Sequence, residues 1–424
     1  MTMNTMSLAQ KLVAHAAQRA QVQPGETVTC QVDLAMFHDS SGPRRLQPML
    51  AELKAQIWDK GKVVLVLDHY VPERDDESRR IVRIARDWAA EQALPNVYDS
   101  QGICHIVVPE RGHIRPGMFC VGGDSHSPTG GAFGAYMFGI GATEMLGVVV
   151  TGQIWLEVPQ TILMHWSGRL ARGVSAKDMM LAMLGRFGMN GGRYQAVEYA
   201  GAAVRALSMA ERMTLANMSA ELGAQVGLIA PDATTRTWLA EHGVDESTID
   251  FDHWRSDDDS ADERHDFDAS TLAPQVALPH SPANVQAVSS LDATPIDVAY
   301  IGACTGAKLD DLRAAASVLS GAKIASSVQL LVAPASVQER GIAEREGVLR
   351  TLIDAGATIL PSACGACAGY GGAIPEGSTV ISSTARNFKG RMGAVDAKVF
   401  LGSPYTVAAS ALRGRICDAR EVLA

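Results

Sequence analysis

Short apolar runs alternate with longer amphipathic stretches along the chain, and this alternation predicts an α/β fold. Residues 7–20 repeat apolar positions at helical spacing behind Ser7, a residue type that caps helices. Residues 63–67 are apolar without interruption, as in a strand that is covered on both faces. The elements predicted for the N-terminal part are a helix over 7–20, a strand over 25–34, a polar loop over 35–43 that enters a helix beginning with proline, a strand over 63–67 and a charged helix over 74–92.

The same alternation returns towards the C-terminus after a stretch of different composition. Residues 256–295 are first acidic and then rich in proline, with few periodic apolar positions. This composition predicts a linker between a large N-terminal part and a C-terminal domain. Beyond it the predicted elements are strands over 298–301, 328–333 and 399–403 and helices over 309–318, 337–355 and 406–412.

Length and composition narrow the class of protein. A chain of 424 residues is too long for one ordinary core, so two or three domains are expected. A net charge of −9 argues against nucleic acid or an anionic membrane as the main partner. No window approaches the roughly 20 apolar residues of a membrane helix, and residues 1–10 lack the pattern of a secretory signal. Seven cysteines without regular pairing indicate a reducing compartment, so a cytoplasmic location is expected.

Three cysteines stand out as candidate metal ligands. Cys364 and Cys367 form a Cys-x-x-Cys among small residues, which lets two sulfurs face one metal centre. Cys304 follows a predicted strand and precedes a predicted helix, whose N-terminal dipole favours a thiolate. Structural zinc sites and ferredoxin clusters usually take four ligands, whereas three leave one metal position open. By itself, a Cys-x-x-Cys is more often a redox pair or half of a zinc site. The other cysteines read as small buried hydrophobes: Cys30, Cys104, Cys120 and Cys417.

Polar side chains gather at a few further points. Asp68 and His69 come directly after the apolar run over 63–67, and His105 follows a glycine-containing loop. The glycine-rich stretch 121–134 surrounds the triplet Asp124, Ser125 and His126, although its glycines alone predict only tight turns.

Two other pairs complete the candidate residues. Asn217 and Glu221 are four residues apart, the spacing of one helical face. Arg386 and Arg391 flank a glycine turn and can clamp carboxylates bidentately, whereas a solvated basic loop is the plainer interpretation of this stretch in isolation.

Taken in order, five segments resemble the aconitase superfamily, and most closely the large-subunit family of 3-isopropylmalate dehydratase (isopropylmalate isomerase). The resemblance covers nearly the whole chain, and its specific parts are residues 123–134, 279–282, 301–305, 364–367 and 386–391. It implies a three-domain fold of the aconitase type without the swivelling fourth domain. Residues 1–285 would form two interleaved α/β domains, and residues 286–424 a third that carries the cysteines and arginines.

The resemblance also implies a reaction and a set of roles. The expected reaction is the dehydration, hydration or isomerisation of a small hydroxy di- or tricarboxylic acid, with a [4Fe–4S] cluster whose fourth iron binds the substrate. The cluster would be held by Cys304, Cys364 and Cys367. The catalytic positions would be Asp68, His69, His105, Asp124, His126 and Glu221. The substrate-binding positions would be His38, Ser125, Asn217, Arg386 and Arg391.

The sequence departs from the family pattern at two places. The family usually has Asn-Ser where this chain has Gly306-Ala307, and Asn where it has Ala385, directly before the first arginine. These losses leave a hydratase of another small diacid open as an alternative, such as maleate, citraconate or dimethylmalate. A non-catalytic homologue that acts by binding, for example to RNA, and a redox Cys-x-x-Cys protein are the alternatives from other classes. The net charge and the retained cysteines, histidines and aspartates argue against the binding homologue.

The resemblance further implies a partner. In single-chain relatives, the base that takes a proton from carbon is a serine on the swivelling domain, and the sequence beyond residues 399–412 leaves no room for such a domain. We therefore expect a separate small subunit that carries this serine, forming a heterodimer, with neither nucleic acid nor membrane as partner. In this family that subunit also builds much of the pocket for the substrate's side group. The alternative is that a serine of this chain, such as Ser125 or Ser383, serves as the base.

Overall fold

The structure, a computed structural model, describes residues 5–370 and 374–423. Within these residues the helices are α1 (Leu8–Ala16), α2 (Pro43–Leu53), α3 (Asp76–Glu91), α4 (Cys104–Glu110), α5 (Ala142–Thr151), α6 (Ala176–Phe187), α7 (Ala202–Arg205), α8 (Met209–Asn217), α9 (Ala233–Glu241), α10 (Leu309–Leu319), α11 (Val337–Arg345), α12 (Val348–Ala355) and α13 (Pro404–Arg413). The strands are β1 (Thr27–Gln31), β2 (Leu34–His38), β3 (Val63–Leu67), β4 (Asn96–Asp99), β5 (Phe119–Gly122), β6 (Tyr136–Gly139), β7 (Gln153–Glu157), β8 (Thr161–Ser167), β9 (Ala196–Ala200), β10 (Val226–Leu228), β11 (Glu263–Asp268), β12 (Gln275–Ala277), β13 (Val285–Ala287), β14 (Val298–Ile301), β15 (Gln329–Val332), β16 (Thr358–Ile359), β17 (Thr379–Ser382) and β18 (Lys398–Leu401).

The chain divides into two compact units. The first comprises the described residues of Met1–Asp99, Val107–Ser167 and Gly192–Phe267. The second comprises those of Ser100–Ile106, Gly168–Gly191 and Asp268–Ala424. Among the described residues no helix is both long enough and apolar enough to cross a bilayer.

The first unit contains a parallel five-stranded sheet in the order β4-β3-β2-β5-β6. All five residues of β3 are buried, which confirms the predicted strand over 63–67. The chain moves from β2 outwards to β4 and then returns to β5 on the other side, so the strand order reverses between β2 and β5. In open α/β sheets, ligands bind beyond the carboxyl ends of the strands at such a reversal.

The prediction of a loop over residues 35–43 is wrong in its first part. Residues 35–38 belong to β2, every residue of which is buried, and Ala35 pairs with Val63 of β3. Three of these four side chains are apolar, and the polar stretch that marks the turn begins only at Asp39. The following helix, α2, begins at Pro43 as predicted.

A second sheet of the first unit has the order β10-β9-β8-β11. Its edge strand, β11, lies within the segment that was predicted to be a linker, and β12 and β13 of the second unit lie there too. The linker prediction over 256–295 is therefore wrong. Residues in β11 alternate between partly buried and exposed, which is typical of a charged edge strand and gives little apolar signal.

The second unit is built on a sheet in the order β13-β12-β18-β17-β14-β15-β16. The strands from β18 to β16 are parallel, and β12 and β13 add an antiparallel edge. Here too the order reverses, between β14 and β17. The helix predicted over 337–355 is in fact α11 and α12, because Gly347 between them adopts a left-handed conformation with φ of +77°.

Candidate active site

Three neighbouring strands of the first unit end in a cluster of histidines and carboxylates. His38 is the last residue of β2, Asp68 follows β3, and Asp124 follows β5. Because β2, β3 and β5 are adjacent and parallel, their carboxyl ends meet at one edge of the sheet. This edge includes the reversal between β2 and β5.

The first pair in this cluster is Asp68 with His69. Asp68 is fully buried, and its Oδ1 lies 2.6 Å from Nδ1 of His69. Asp39, also fully buried, accepts backbone N–H groups from His69 at 3.1 Å and Tyr70 at 2.8 Å, and so fixes the turn that carries the imidazole. A short contact to a buried carboxylate orients an imidazole and selects its tautomer.

Asp124 lies among three histidines. Its carboxylate oxygens are 3.6 Å from Nε2 of His38, 4.0 Å from Nε2 of His69 and 3.7 Å from Nδ1 of His126. The rings of His38 and His69 are stacked, with centroids 3.8 Å apart. Three of the predicted histidines are thus brought together around one predicted carboxylate.

The charges in this cluster act most strongly on His38. Burial by itself lowers the pKa of this imidazole, but contacts with Asp124 and Asp39 and the charge of Asp68 outweigh burial and raise the pKa to about 10. These carboxylates therefore favour the protonated form of His38. Donor atoms of His38, Asp39, Asp68 and His69 lie within 4.8 Å of one another, the spacing of a cation site. A protonated His38 and an Asp39 that already accepts backbone N–H groups argue against a metal there.

The glycine-rich stretch is held by the end of α8 and the turn after it. Nε2 of His126 lies 2.9 Å from Oε1 of Glu221, and Asn217 donates to Oγ1 of Thr129 at 2.7 Å. The Thr129 hydroxyl in turn donates to the backbone oxygen of His126 at 2.6 Å. Both predicted residues thus reach the segment that carries His126.

The prediction that Asn217 and Glu221 share a helical face is wrong. Helix α8 ends at Asn217, and Glu221 lies in the turns that follow, where it is buried.

Within the glycine-rich stretch, only glycine fits at position 131, because a Cβ there would lie 1.8 Å from the backbone oxygen of Gly227. Ser125, between Asp124 and His126, is exposed.

The three predicted cysteine ligands lie in the second unit beyond strand ends. Cys304 follows β14, and Cys364 and Cys367 follow β16. Cys364 caps a single 3₁₀ turn in which the backbone N–H of Cys367 donates to the oxygen of Cys364 at 3.1 Å. Side chains three apart in a 3₁₀ turn lie on the same side, so both sulfurs face one direction. Ala303, directly before Cys304, has φ of +70°, a strained conformation that non-glycine residues keep mainly at functional sites.

The surroundings of these thiols fit a bound iron–sulfur group. None of the three cysteines forms a disulfide, and burial together with the charges of Cys367 and Cys364 raises the pKa of Tyr300, so the sulfurs of Cys364 and Cys367 lie near its hydroxyl. Within residues 5–370 and 374–423, the buried atoms Tyr300 Oη, Ser362 Oγ and Arg391 Nε have no hydrogen-bond partner. A buried polar atom without a partner costs about 1–3 kcal/mol, which a bound anionic group would relieve.

The two predicted arginines lie in the loop between β17 and β18. Asn387 anchors this loop through Nδ2, which donates to the backbone oxygens of Leu278 at 2.8 Å and Val399 at 3.0 Å. A Cβ on Gly369 would lie 3.0 Å from the backbone oxygen of Arg391, so the arginine loop packs against the cysteine turn. The side chains of Arg386 and Arg391 are both partly buried.

His105 is the one predicted histidine of the second unit. It is buried near the start of α4, and the preceding backbone is fixed by Ile103, whose N–H donates to the oxygen of Ala335 at 2.9 Å.

The structure adds four polar residues that the sequence reasoning missed: Asp39, Thr129, Lys177 and Thr305. Two of them had a sequence signal, since Asp39 follows His38 directly and Thr129 lies within the glycine-rich stretch. Lys177 had none, because a lone lysine in an amphipathic stretch usually faces solvent.

The first unit thus carries imidazole–carboxylate pairs at the reversal of its sheet, and the second unit carries thiols and guanidinium groups at the reversal of its own sheet. Comparison with known proteins supplies the family. The profile of the Aconitase family (aconitate hydratase) matches residues 10–294 and 285–414. The chain therefore belongs to the aconitase family, whose members are hydro-lyases.

Individual relatives extend over nearly the whole chain. The 3-isopropylmalate dehydratase large subunit 1 of Methanopyrus kandleri is 39% identical over 98% of this chain and 99% of its own length. The probable methanogen homoaconitase large subunit of Methanosarcina mazei is 40% identical over 92% of this chain and 99% of its own length. Among solved structures, the holo-form of Thermococcus kodakaraensis aconitase X aligns with a TM-score of 0.50 over 85% of this chain and 84% of that one, at 13% identity, a likeness of fold alone.

Proposed function

We propose that this chain is the cluster-bearing large subunit of a [4Fe–4S] hydro-lyase acting on a small hydroxy di- or tricarboxylic acid, most like 3-isopropylmalate dehydratase. The observation that carries the proposal is that Cys304, Cys364 and Cys367 follow strands of one sheet, and that Cys364 and Cys367 lie near the hydroxyl of Tyr300, which is buried without a partner among the described residues. It is supported by relatives of 37–39% identity that are named as large subunits. We also propose that residues 1–285 hold two interleaved domains and residues 286–424 a third.

Cys304, Cys364 and Cys367 would hold the cluster. When bound, such a cluster supplies a Lewis acid that polarises the substrate's hydroxyl and carboxylate oxygens. The three thiols must be thiolates for this, and the helix that follows Cys304, α10, favours the charged form. An exposed cluster of this kind needs a reducing compartment, so we propose the cytoplasm.

The acid that protonates the leaving hydroxyl would be His69. Its Nδ1 contacts the buried Asp68 at 2.6 Å, which holds the ring so that Nε2 is free to deliver a proton. Asp124 lies 4.0 Å from this Nε2 and would steady the charged imidazole or a water beside it. His126, backed by Glu221 at 2.9 Å, and His105 would complete the proton-transferring set.

Positive charge for the substrate's carboxylates would come from Arg386, Arg391 and His38. A guanidinium matches a carboxylate in a bidentate way, and Nε of Arg391 is buried without a partner among the described residues. His38 adds an imidazolium, since its pKa is raised to about 10. Ser125 and Asn217 would contribute hydroxyl and amide contacts.

The base that takes the proton from carbon would come from a separate small subunit with a catalytic serine. Two serines of this chain are the competing candidates, and the surroundings of Ser383 argue against it. Its hydroxyl is fully buried, accepts the N–H of Gly302 at 3.0 Å and lies 3.1 Å from the backbone oxygens of Gly302 and Gly306. Ser125 is exposed and is the remaining alternative within the chain.

A second candidate function is supported by the 40% identity to a homoaconitase large subunit, which favours a longer tricarboxylic acid. The departures at Gly306 and Ala385 equally admit maleate, citraconate or dimethylmalate. All of these substrates share the carboxylates and the hydroxyl or double bond that the proposed residues would handle.

The test is an anaerobic reconstitution of the chain with iron and sulfide, followed by assays against these acids with and without a candidate small subunit. We expect iron binding by the large chain alone and turnover only after mixing. Cys364→Ser should lose iron, whereas the matched control Cys417→Ser, also in the second unit, should keep it. Full turnover without a partner would refute the two-subunit proposal, and unchanged iron in Cys364→Ser would refute the cluster assignment.

A further inference from the structure

Lys177 is an unusual lysine because its ammonium group is inside the protein. It lies in the first turn of α6 and is 1% exposed. Its Nζ donates to the backbone oxygens of Thr384 at 2.6 Å and Ser383 at 3.0 Å, and to Oγ1 of Thr305 at 3.3 Å. Burying an ammonium is costly unless it is hydrogen-bonded, so these contacts determine where the group lies.

The three acceptors belong to the two loops that bear the proposed ligands. Thr305 directly follows Cys304 beyond β14, and Ser383 and Thr384 precede Arg386 beyond β17. The two loops also meet directly, because the Thr305 hydroxyl donates to the oxygen of Ser383 at 3.0 Å. One ammonium therefore joins the loop of a cysteine to the loop of an arginine at the reversal of the sheet.

The same two loops are closely packed against each other. A Cβ on Gly306 would lie 2.3 Å from both Cβ and Oγ of Ser383, so the serine occupies the space that a side chain at 306 would need. Its hydroxyl is bonded to the backbone at Gly302 and Gly306. The hydrogen bonds of Lys177 add a charged link to these direct contacts between the two loops.

We propose that Lys177 is a positioning residue that fixes the Cys304 loop against the Arg386 loop. Only the consequences for iron and substrate rest on the proposed function; the tie between the loops does not. Without the ammonium, the backbone oxygens of residues 383 and 384 lose their shared donor, and the loops open more often.

The test compares Lys177→Met with Asp178→Asn in the apo-protein. Methionine keeps the length and apolar stem of Lys177 but cannot donate. Asp178 is the next residue of the same helix, and its carboxylate accepts the N–H groups of Ser175 and Gln275, both at 2.8 Å, which belong to neither loop. Its amide variant therefore weakens the same helix while leaving the link between the loops intact.

The main readout is the rate at which an alkylating reagent modifies Cys304, resolved by peptide mass spectrometry with Cys417 as the internal reference. Cys304 is 6% exposed, so labelling requires a local opening. We expect Lys177→Met to label Cys304 about tenfold faster, the effect of losing a charged hydrogen bond. The labelling rate of Cys304 in Asp178→Asn should stay within about twofold of the wild-type rate, even if the melting temperature of Asp178→Asn is lower than that of Lys177→Met.

Two further readouts separate this proposal from the proposed function. In reconstituted protein, Lys177→Met should raise KM for the acid more than it lowers kcat, and should lower iron per chain. If the wild type binds no iron and turns over no acid, the proposed function fails while the labelling contrast still decides the role of Lys177. Equal labelling of Cys304 in Lys177→Met and wild type, or equal acceleration in Asp178→Asn, would overturn the positioning role.

A second pair of variants covers the outcome in which Lys177→Met does not fold. Thr305→Val removes the hydroxyl that accepts from Lys177 and donates to Ser383, whereas Thr305→Ser keeps it. Faster labelling of Cys304 in the valine variant, with a wild-type labelling rate in the serine variant, would support the proposed link between the two loops. Indistinguishable rates in the two variants would contradict it.

Discussion

The charge of His38 is the property of the histidine cluster that can be measured most directly. Its Nε2 lies 3.6 Å from Asp124, its Nδ1 lies 3.8 Å from Asp39, and Asp68 adds a third negative charge. These carboxylates outweigh the effect of burial and raise the pKa to about 10. At neutral pH the protonated form of His38 should then predominate.

Asp124→Asn removes one of the three charges while keeping the shape of the side chain. An opposite charge at this distance shifts a pKa by about 1–3 units, so the pKa of His38 should fall to roughly 7–9. Because the folded-state pKa lies above the unfolded value, the stabilisation from protonated His38 is fully present below about pH 6.5 and is lost as the pH rises towards 10. The Asp124→Asn variant should lose this stabilisation over a lower and narrower range of pH.

The assay is two-dimensional NMR of protein labelled with ¹⁵N-histidine, titrated from about pH 6 to about pH 10, with His38→Gln identifying the signal. We expect both ring nitrogens of His38 to remain protonated through about pH 9 in the wild type and to titrate earlier in Asp124→Asn. A neutral His38 at pH 7.5 in the wild type would refute the reasoning about its charge. An unchanged titration in the variant would refute the assignment of the shift to Asp124.

Three further outcomes are expected. Asp68→Asn should lower kcat by about 10²–10⁴ with little change in KM, as loss of an oriented acid does, and an unchanged kcat would exclude His69 as the acid. Arg391→Lys should raise KM about tenfold or more because a point charge cannot replace a guanidinium fork; less than a threefold change in steady-state kinetics would count against a clamp. Gly306→Ala should cost about 1–3 kcal/mol of stability through its clash with Ser383, and thermal melting should show partial recovery when Ser383→Gly is added.

The parts of the fold that the sequence predicted correctly are those with a strong apolar signal. The run over 63–67 became β3, all of it buried, and the stretch behind Ser7 became α1, which Ser7 caps by accepting the N–H of Gln10. The failures fall where the chain is polar but ordered. Strand β11 carries mostly charged residues at a sheet edge, so composition alone made it indistinguishable from a linker.

The candidate site was predicted in its chemistry but not in its geometry. Asp68 and His69 could be paired from their adjacency, and the structure brings Nδ1 to 2.6 Å from the carboxylate. Spacing alone misplaced Glu221, because a separation of four residues implies a shared face only while the helix continues, and α8 ends at Asn217. Lys177 could not be predicted, since its acceptors lie more than 100 residues away in sequence.

The departure at Gly306 is better understood as a packing change than as a missing amide. In this chain the space beside residue 306 is filled by Ser383, whose hydroxyl is bonded to backbone at Gly302 and Gly306. An asparagine at 306 would require Ser383 to move, so the two positions can change only together. Since Ala385 is also buried and apolar, neither position presents an amide to a substrate. If the proposed function holds, discrimination among acids would depend on Arg386, Arg391 and His38 and on the pocket of the proposed small subunit, so exchanging that subunit should change specificity more than restoring either amide.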